Sequence, residues 1–165
     1  MINDPTDPKE AYSSAIDILS RRDHSVKELS DRLISKGFAG SAVSEAVSLL
    51  SDKHYIDDVR MASHFLASHL SEQSLTQLKF KLMRRGISSD DIATAIEMLT
   101  EEAVDESETL GSRQACAVLD LLRKKRYDPE DPAAGKILAS LSRKGFSYDT
   151  IKEGLALFEQ EQYRD

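Results

Sequence analysis

Asp57 and Asp58 stand side by side in "HYIDDVRMA", and paired carboxylates are what general acid–base chemistry uses. Catalysis would need both groups aimed at one reacting atom in a cleft, whereas neighbours at a helix start point in different directions. The spacing instead predicts Asp57 as an N-cap and Asp58 as an acid favoured by the positive helix terminus. His64 and His69 are five apart on a predicted helix, which does not set two imidazoles side by side, and no cysteine cluster completes a zinc site. "LGSR" holds Gly111 without the Gly-Lys-Ser/Thr of a phosphate-binding loop, and Ser, His and Asp occur in no recognisable nucleophile setting. The single Cys116 reads as a small apolar residue packed on a helix. No catalytic residue, metal or cofactor is expected.

The other chemistry within reach is recognition of anions. Lys36, then Arg84 and Arg85, then Arg143 and Lys144 stand just ahead of Gly37, Gly86 and Gly145, and Arg123, Lys124, Lys125 and Arg126 form a basic run. Taken singly, each complements a helix C-terminus with a solvated side chain. Repeated at the same corner, they become candidate contacts for an acidic protein surface or exposed DNA phosphates. The net charge of −7, from 22 basic against 29 acidic residues, argues against a chain whose main task is neutralising phosphates. Acid concentrates in "EMLTEEAVDESE", residues 97–108. Aromatic residues are too sparse for a nucleic-acid stacking platform: Phe38 and Phe146 are committed to corners, Phe65 and Phe158 fall on apolar stripes, and Tyr127 is a candidate for either a contact or core packing.

The elements that position these residues repeat. Gly37, Gly86 and Gly145 each follow a leucine by four residues (Leu33, Leu82, Leu141) and precede a large apolar residue (Phe38, Ile87, Phe146). That pattern predicts a Schellman-type helix end, with glycine in the left-handed conformation and the next residue packed back on the helix. Ser25 and Ser74, twelve residues before their glycines, open the capping boxes "SVKE" and "SLTQ". In the third copy Asp131 would cap and Pro132 would take the first helical position, so that helix is expected to start slightly earlier. After each glycine, Val43, Ile92 and Ile151, then Val47, Ile96 and Leu155, then Leu50, Leu99 and Phe158 draw one apolar stripe on a further helix.

The glycines are 49 and 59 residues apart, so each unit must hold more than one helix pair. A third helix precedes each cap, in "PKEAYSSAIDILSRR", where Asp7, Pro8 and Glu10 make an N-terminal signature, in "DVRMASHFLASHLSE" and in "SETLGSRQACAVLDLLRKKR". The loop "YDPEDP" and a longer first helix absorb the ten extra residues of the last interval. No alternating strand pattern or Asn-Gly or Asp-Gly hairpin signal appears. With 40% hydrophobic and 31% charged residues but only 7 Gly and 4 Pro, the composition also fits a helical protein with a real core. No apolar stretch approaches the ~18 residues of a membrane span and "MINDPTDPKE" is no signal peptide, so a cytoplasmic protein without membrane contact is expected.

From about Ala11 to Phe158 the chain resembles the RecX family of regulators of the bacterial recombinase RecA. "HYIDDVRMA" is similar to the family's Gly-Tyr/Leu-Ile/Leu-Asp-Asp-x-Arg-Tyr/Phe-Ala joint between its first two units, and "LSRKGFSYDTI" to its closing Leu-x-x-Arg-Gly-Phe-Ser-x-Asp-x-Ile. His54 replaces the usual glycine, Met61 the usual aromatic, and Lys144 stands where arginine is common. The resemblance implies a modular array of three-helix repeats bound along the groove of the RecA filament, restraining strand exchange, ATP hydrolysis and coprotease function.

The expected fold is all-α, with three tandem three-helix repeats in an elongated, curved array: a tail over 1–9 and repeats over 10–55, 56–103 and 104–165. The expected partner is the RecA nucleoprotein filament, with weak contact to single-stranded DNA in second place, and a monomer is expected. Arg84, Arg85, Arg123, Lys124, Lys125, Arg126, Arg143 and Lys144 are the candidate contacts; Gly37, Gly86, Gly145, Asp57 and Asp58 are structural. A helical DNA-binding or scaffold protein acting independently of RecA is the competing class, and a helical enzyme is a third that no convergent polar cluster in the sequence supports.

Overall fold

Nine α-helices account for the regular structure of residues 2–102 and 109–162, which a computed structural model describes. In chain order they are α1 (Pro8–Leu19), α2 (Val26–Lys36), α3 (Gly40–Asp52), α4 (Asp58–His69), α5 (Leu75–Arg84), α6 (Ser89–Glu101), α7 (Leu110–Lys124), α8 (Ala134–Arg143) and α9 (Tyr148–Gln162). No strand occurs among the described residues. The order is three consecutive triplets, an all-α repeat fold. Part of the acidic stretch 97–108, from residue 103 onward, and the expected start of the third repeat at 104–108 lie outside the described residues.

The second helix of every triplet ends the same way. The N–H groups of Gly37, Gly86 and Gly145 donate to the carbonyls of Ile34, Met83 and Ser142 at 2.9 Å, and those of Phe38, Ile87 and Phe146 reach back to Leu33, Leu82 and Leu141 at 3.2–3.3 Å. This double bond pattern requires a left-handed residue, and the glycines supply it with φ of 107°, 83° and 87°. The chain uses the same closure twice without glycine. His54 after α3 (φ 56°) and Arg126 after α7 (φ 52°) take the left-handed position, while Tyr55 and Tyr127 donate back to Leu50 and Leu122.

The helix starts are less uniform. Asp7 caps α1 through Lys9 N–H at 2.9 Å with Pro8 in the first turn, and Ser25 caps α2 in a complete capping box with Glu28. The third repeat departs from the expectation of an earlier start: α8 begins at Ala134, eleven residues before its glycine, the same register as Val26 and Leu75. Asp131 Oδ1 accepts from Ala133 N–H at 2.7 Å and its carbonyl from Ala134 N–H at 2.8 Å, so Asp131 and Pro132 form a turn ahead of the helix, and Ala133 makes no side-chain cap.

The chain divides into two compact units, Met1–Ala62 with Leu82–Ala95, and Ser63–Lys81 with Ile96–Asp165, so α4, α5 and α6 each contribute to both. In the first unit α1 and α2 pack on α3 around Ala11, Leu29, Leu33, Phe38, Val43 and Leu50. In the second, α7 and α8 pack on α9 around Val118, Leu122, Leu141, Phe146, Ile151 and Phe158. A Cβ on Gly154 would lie 2.4 Å from Val118 Cγ1 and 3.1 Å from the Ala115 carbonyl, so α7 and α9 meet where one of them has no side chain. Tyr127 packs edge-on against Phe158, and so belongs to this core. Cys116 departs from the expectation of a packed residue: it is exposed, because Ala115, Ala117 and Val118 supply the buried face of α7.

Candidate partner-binding surface and the joints that position it

Helix ends carry unsatisfied backbone groups, N–H at the start and C=O at the end. The two joints between successive repeats are made by bringing one of each together. Each joint lies within one compact unit.

In the first joint, Ser25 Oγ accepts from Glu28 N–H at 3.1 Å inside the capping box and donates its own proton to the carbonyl of Arg85, the last residue before Gly86. The next N–H of α2, that of Val26, donates to Asp58 Oδ1 at 2.9 Å. The Arg85 guanidinium forks onto Glu28, with Nε to Oε1 at 2.9 Å and Nη2 to Oε2 at 3.0 Å. The C-terminus of α5 thus meets the N-terminus of α2, opposite ends of two helix dipoles. His24 is buried beside them, its Nδ1 3.5 Å from Glu28 Oε2 and without a hydrogen-bond partner among the described residues.

The second joint repeats the plan with different chemistry. Ser74 Oγ accepts from Gln77 N–H at 3.3 Å and donates to the Lys144 carbonyl, while Thr76 Oγ1 donates to the Gly145 carbonyl at 3.1 Å. Leu75 N–H donates to Gln114 Oε1 at 2.8 Å. Gln114 is buried and its Nε2 donates to the carbonyls of Leu70 (2.6 Å) and Gln73 (2.8 Å). One neutral amide therefore serves three backbone groups.

Burial sets the ionisation of the first joint. Asp58 is raised above the usual carboxylate range by burial, with the Val26 N–H opposing. On Glu28 burial pushes the same way, but the Arg85 hydrogen bond, the Ser25 N–H and the Arg85 charge outweigh it and hold the carboxyl low. His24 is lowered by burial first and the Arg22 charge second, against the pull of Glu28.

The structural residues of the sequence pattern fall here. Asp57 Oδ1 accepts from Arg60 N–H at 2.9 Å at the start of its own helix, whereas Asp58 reaches across to another helix. Sequence reading took Ser25 and Ser74 only as caps and missed Gln114. The available signal was the alanine at 133, the position twelve before the third glycine, where the hydroxyl of the first two repeats is gone.

The candidate basic contacts divide into two groups. Arg85 is half-buried in the first joint, Arg123 pairs with Asp120 (2.8 Å) and with Glu161 of α9, and Arg126 is the left-handed residue closing α7. Arg84, Lys124, Lys125, Arg143 and Lys144 are exposed. Among the described residues no group of His, Cys, Asp and Glu is placed to hold a metal, and His69 Nδ1 lies 2.8 Å from the Phe65 carbonyl.

A family model described as "RecX, first three-helix domain" matches residues 11–50. The chain is 31% identical over 154 residues to a regulatory protein RecX of Bacillus pumilus, covering 89% of this chain and 54% of that protein. It is 31% identical over 145 residues to that of Leuconostoc mesenteroides, covering 85% and 51%. The chain thus spans about half the length of these two relatives. Against a regulatory protein RecX of Treponema pallidum it is 29% identical over 150 residues, covering 90% of this chain and 85% of that one. The crystal structure of RecX from Lactobacillus salivarius shares the fold, with a TM-score of 0.74 at 22% identity over 93% of this chain and 97% of that one.

Proposed function

We propose that this chain is a member of the RecX family and a negative regulator of RecA that acts by binding and not by catalysis. The observation that carries the reading is the match to regulatory proteins named RecX across 85–90% of the chain. The repeat fold supports it, since linked helical units offer a continuous surface instead of one deep pocket. The modules are taken as 10–55, 56–103 and 104–165 behind a tail over 1–9, acting as a monomer. They occupy the groove of the RecA–DNA filament, and so restrain ATP hydrolysis, strand exchange and coprotease function. Each engaged module raises the effective concentration of the next, so modest affinity per module suffices.

Arg84, Lys124, Lys125, Arg126, Arg143 and Lys144, all exposed, are the cations left for that contact; Arg85 and Arg123 are engaged in ion pairs. The setting is the cytoplasm, where the filament forms; among the described residues no helix is long and apolar enough to cross a membrane. The test is RecA's ATPase on single-stranded DNA, titrated with this protein while its binding to bare DNA is followed in parallel. Inhibition well below one copy per RecA protomer, with weak bare-DNA binding, is expected. Inhibition only where the protein saturates the DNA would favour the DNA-binding alternative.

A further inference from the structure

Beside the second joint, within one compact unit, the exposed side of α5 and the end of α8 enclose a groove of about 370 Å³. Phe80 lies along it, 63% exposed on a helix surface. Lys81, Arg143 and Lys144 line the groove with it, Gln73 and Gln77 add amides, and among the described residues no carboxylate lines it. Lys81 is held by Gln73 Oε1. The carbonyls of Lys144 and Gly145 already accept hydrogen bonds from Ser74 and Thr76. A single exposed aromatic is ordinary; one that shares a groove with three cations is a two-part recognition element, with charge to steer and surface to bury.

We infer that this groove docks an acidic peptide segment of a protein partner, with an apolar side chain on Phe80 and carboxylates on Arg143 and Lys144. The inference rests on the reading that the chain works through a protein partner. Charge favours a peptide over nucleic acid: a strand carries its phosphates well past the groove along a chain of net charge −7, whereas a short acidic segment needs the groove alone. One aromatic also gives a nucleic-acid strand a single stacking position.

The experiment measures fluorescence anisotropy of a labelled peptide of alternating glutamate and leucine against the full chain, and oligo(dT) in parallel. Phe80→Ser and Arg143→Glu should each weaken peptide binding about fivefold to tenfold with helix content unchanged, and Arg143→Lys should restore most of the loss. Added salt should weaken the peptide complex of the unaltered chain. Absence of peptide binding, or binding indifferent to both substitutions, would overturn the inference. Tighter binding of oligo(dT), lost through the same substitutions, would also overturn it and make the groove a nucleic-acid site. Because the assay contains no RecA, failure here beside intact RecA inhibition removes the groove and leaves the regulatory reading standing. Peptide binding by a chain that does not inhibit RecA removes the regulatory reading instead.

Discussion

The two joints solve one geometric problem with opposite electrostatics. Both bring a serine hydroxyl to the last carbonyl of the next repeat's middle helix, and both satisfy the following N–H with a side chain from that repeat's first helix. In the first, that side chain is the Asp58 carboxylate, and a Glu28–Arg85 fork closes the contact. In the second, it is the Gln114 amide, and Thr76 takes the place of the fork. Backbone geometry therefore fixes the joint, while its sensitivity to pH and salt is set by which acceptor is used. The first joint should respond to acid and the second should not.

The largest expected effect separates both joints from the free corner. An alanine Cβ at 145 would sit 2.8 Å from Thr76 Cβ, and at 86 it would sit 2.5 Å from Lys27 Cβ, whereas at 37 the nearest atom is Ile2 Cδ1 at 3.9 Å. All three substitutions carry left-handed strain of ~1–2 kcal/mol, and the two joint positions add overpacking of ~1–3 kcal/mol. Chemical denaturation of the three variants should place Gly37→Ala well above the other two. Equal losses would mean that the glycines matter only for their own helix ends.

Next in size is removal of the acceptors. Gln114→Ala strips partners from Leu75 N–H and from the Leu70 and Gln73 carbonyls, at about 2–4 kcal/mol. Asp58→Ala orphans only Val26 N–H and relieves a buried carboxylate, and should cost about 1 kcal/mol or less at neutral pH. The reverse order would contradict the comparison.

Acid should sharpen it further. His24, held neutral, must take up a proton on unfolding, so its contribution declines as pH falls below about 6.5. Glu28, held low by Arg85, contributes stability above its unfolded pKa that is lost as pH falls through its folded value. Asp58, raised by burial, runs the other way and gains as pH falls through its raised value. Of these three groups, only His24 has its unfolded pKa inside the window from pH 7 to about 5. The melting temperature should therefore drop across that window and drop less in His24→Leu; parallel curves would remove His24 from the account.

The smallest effect concerns the two ends closed without glycine. His54→Gly and Arg126→Gly relieve left-handed strain and should each stabilise the chain by about 1 kcal/mol in thermal melts. Destabilisation would show that either side chain makes contacts worth more than its strain.

The corners were legible in the sequence because a Schellman end writes itself locally: Leu33, Gly37 and Phe38 lie within six residues and recur twice. The joints were not, because their partners are 32 to 70 residues apart and no local rule links Ser74 to Lys144 or Leu75 to Gln114. Asp58 was expected to favour the N-terminus of its own helix, whereas its carboxylate accepts from the first N–H of α2. Among the basic residues, periodicity alone could not distinguish Arg84, left exposed, from Arg85, which turns inward to Glu28. Phe80 escaped notice because a phenylalanine on an amphipathic helix reads as core, and only its 63% exposure shows otherwise.

The central claim is that linked repeats act together on one RecA filament. It is tested most directly by inserting a flexible Gly/Ser segment of about twelve residues between Tyr55 and Ile56, the proposed end of the first repeat, and measuring inhibition of RecA's ATPase on single-stranded DNA. With helix content retained, potency should fall about tenfold or more as the repeats lose their shared effective concentration. Undiminished potency would show that a single repeat carries the function and that the joints serve stability alone.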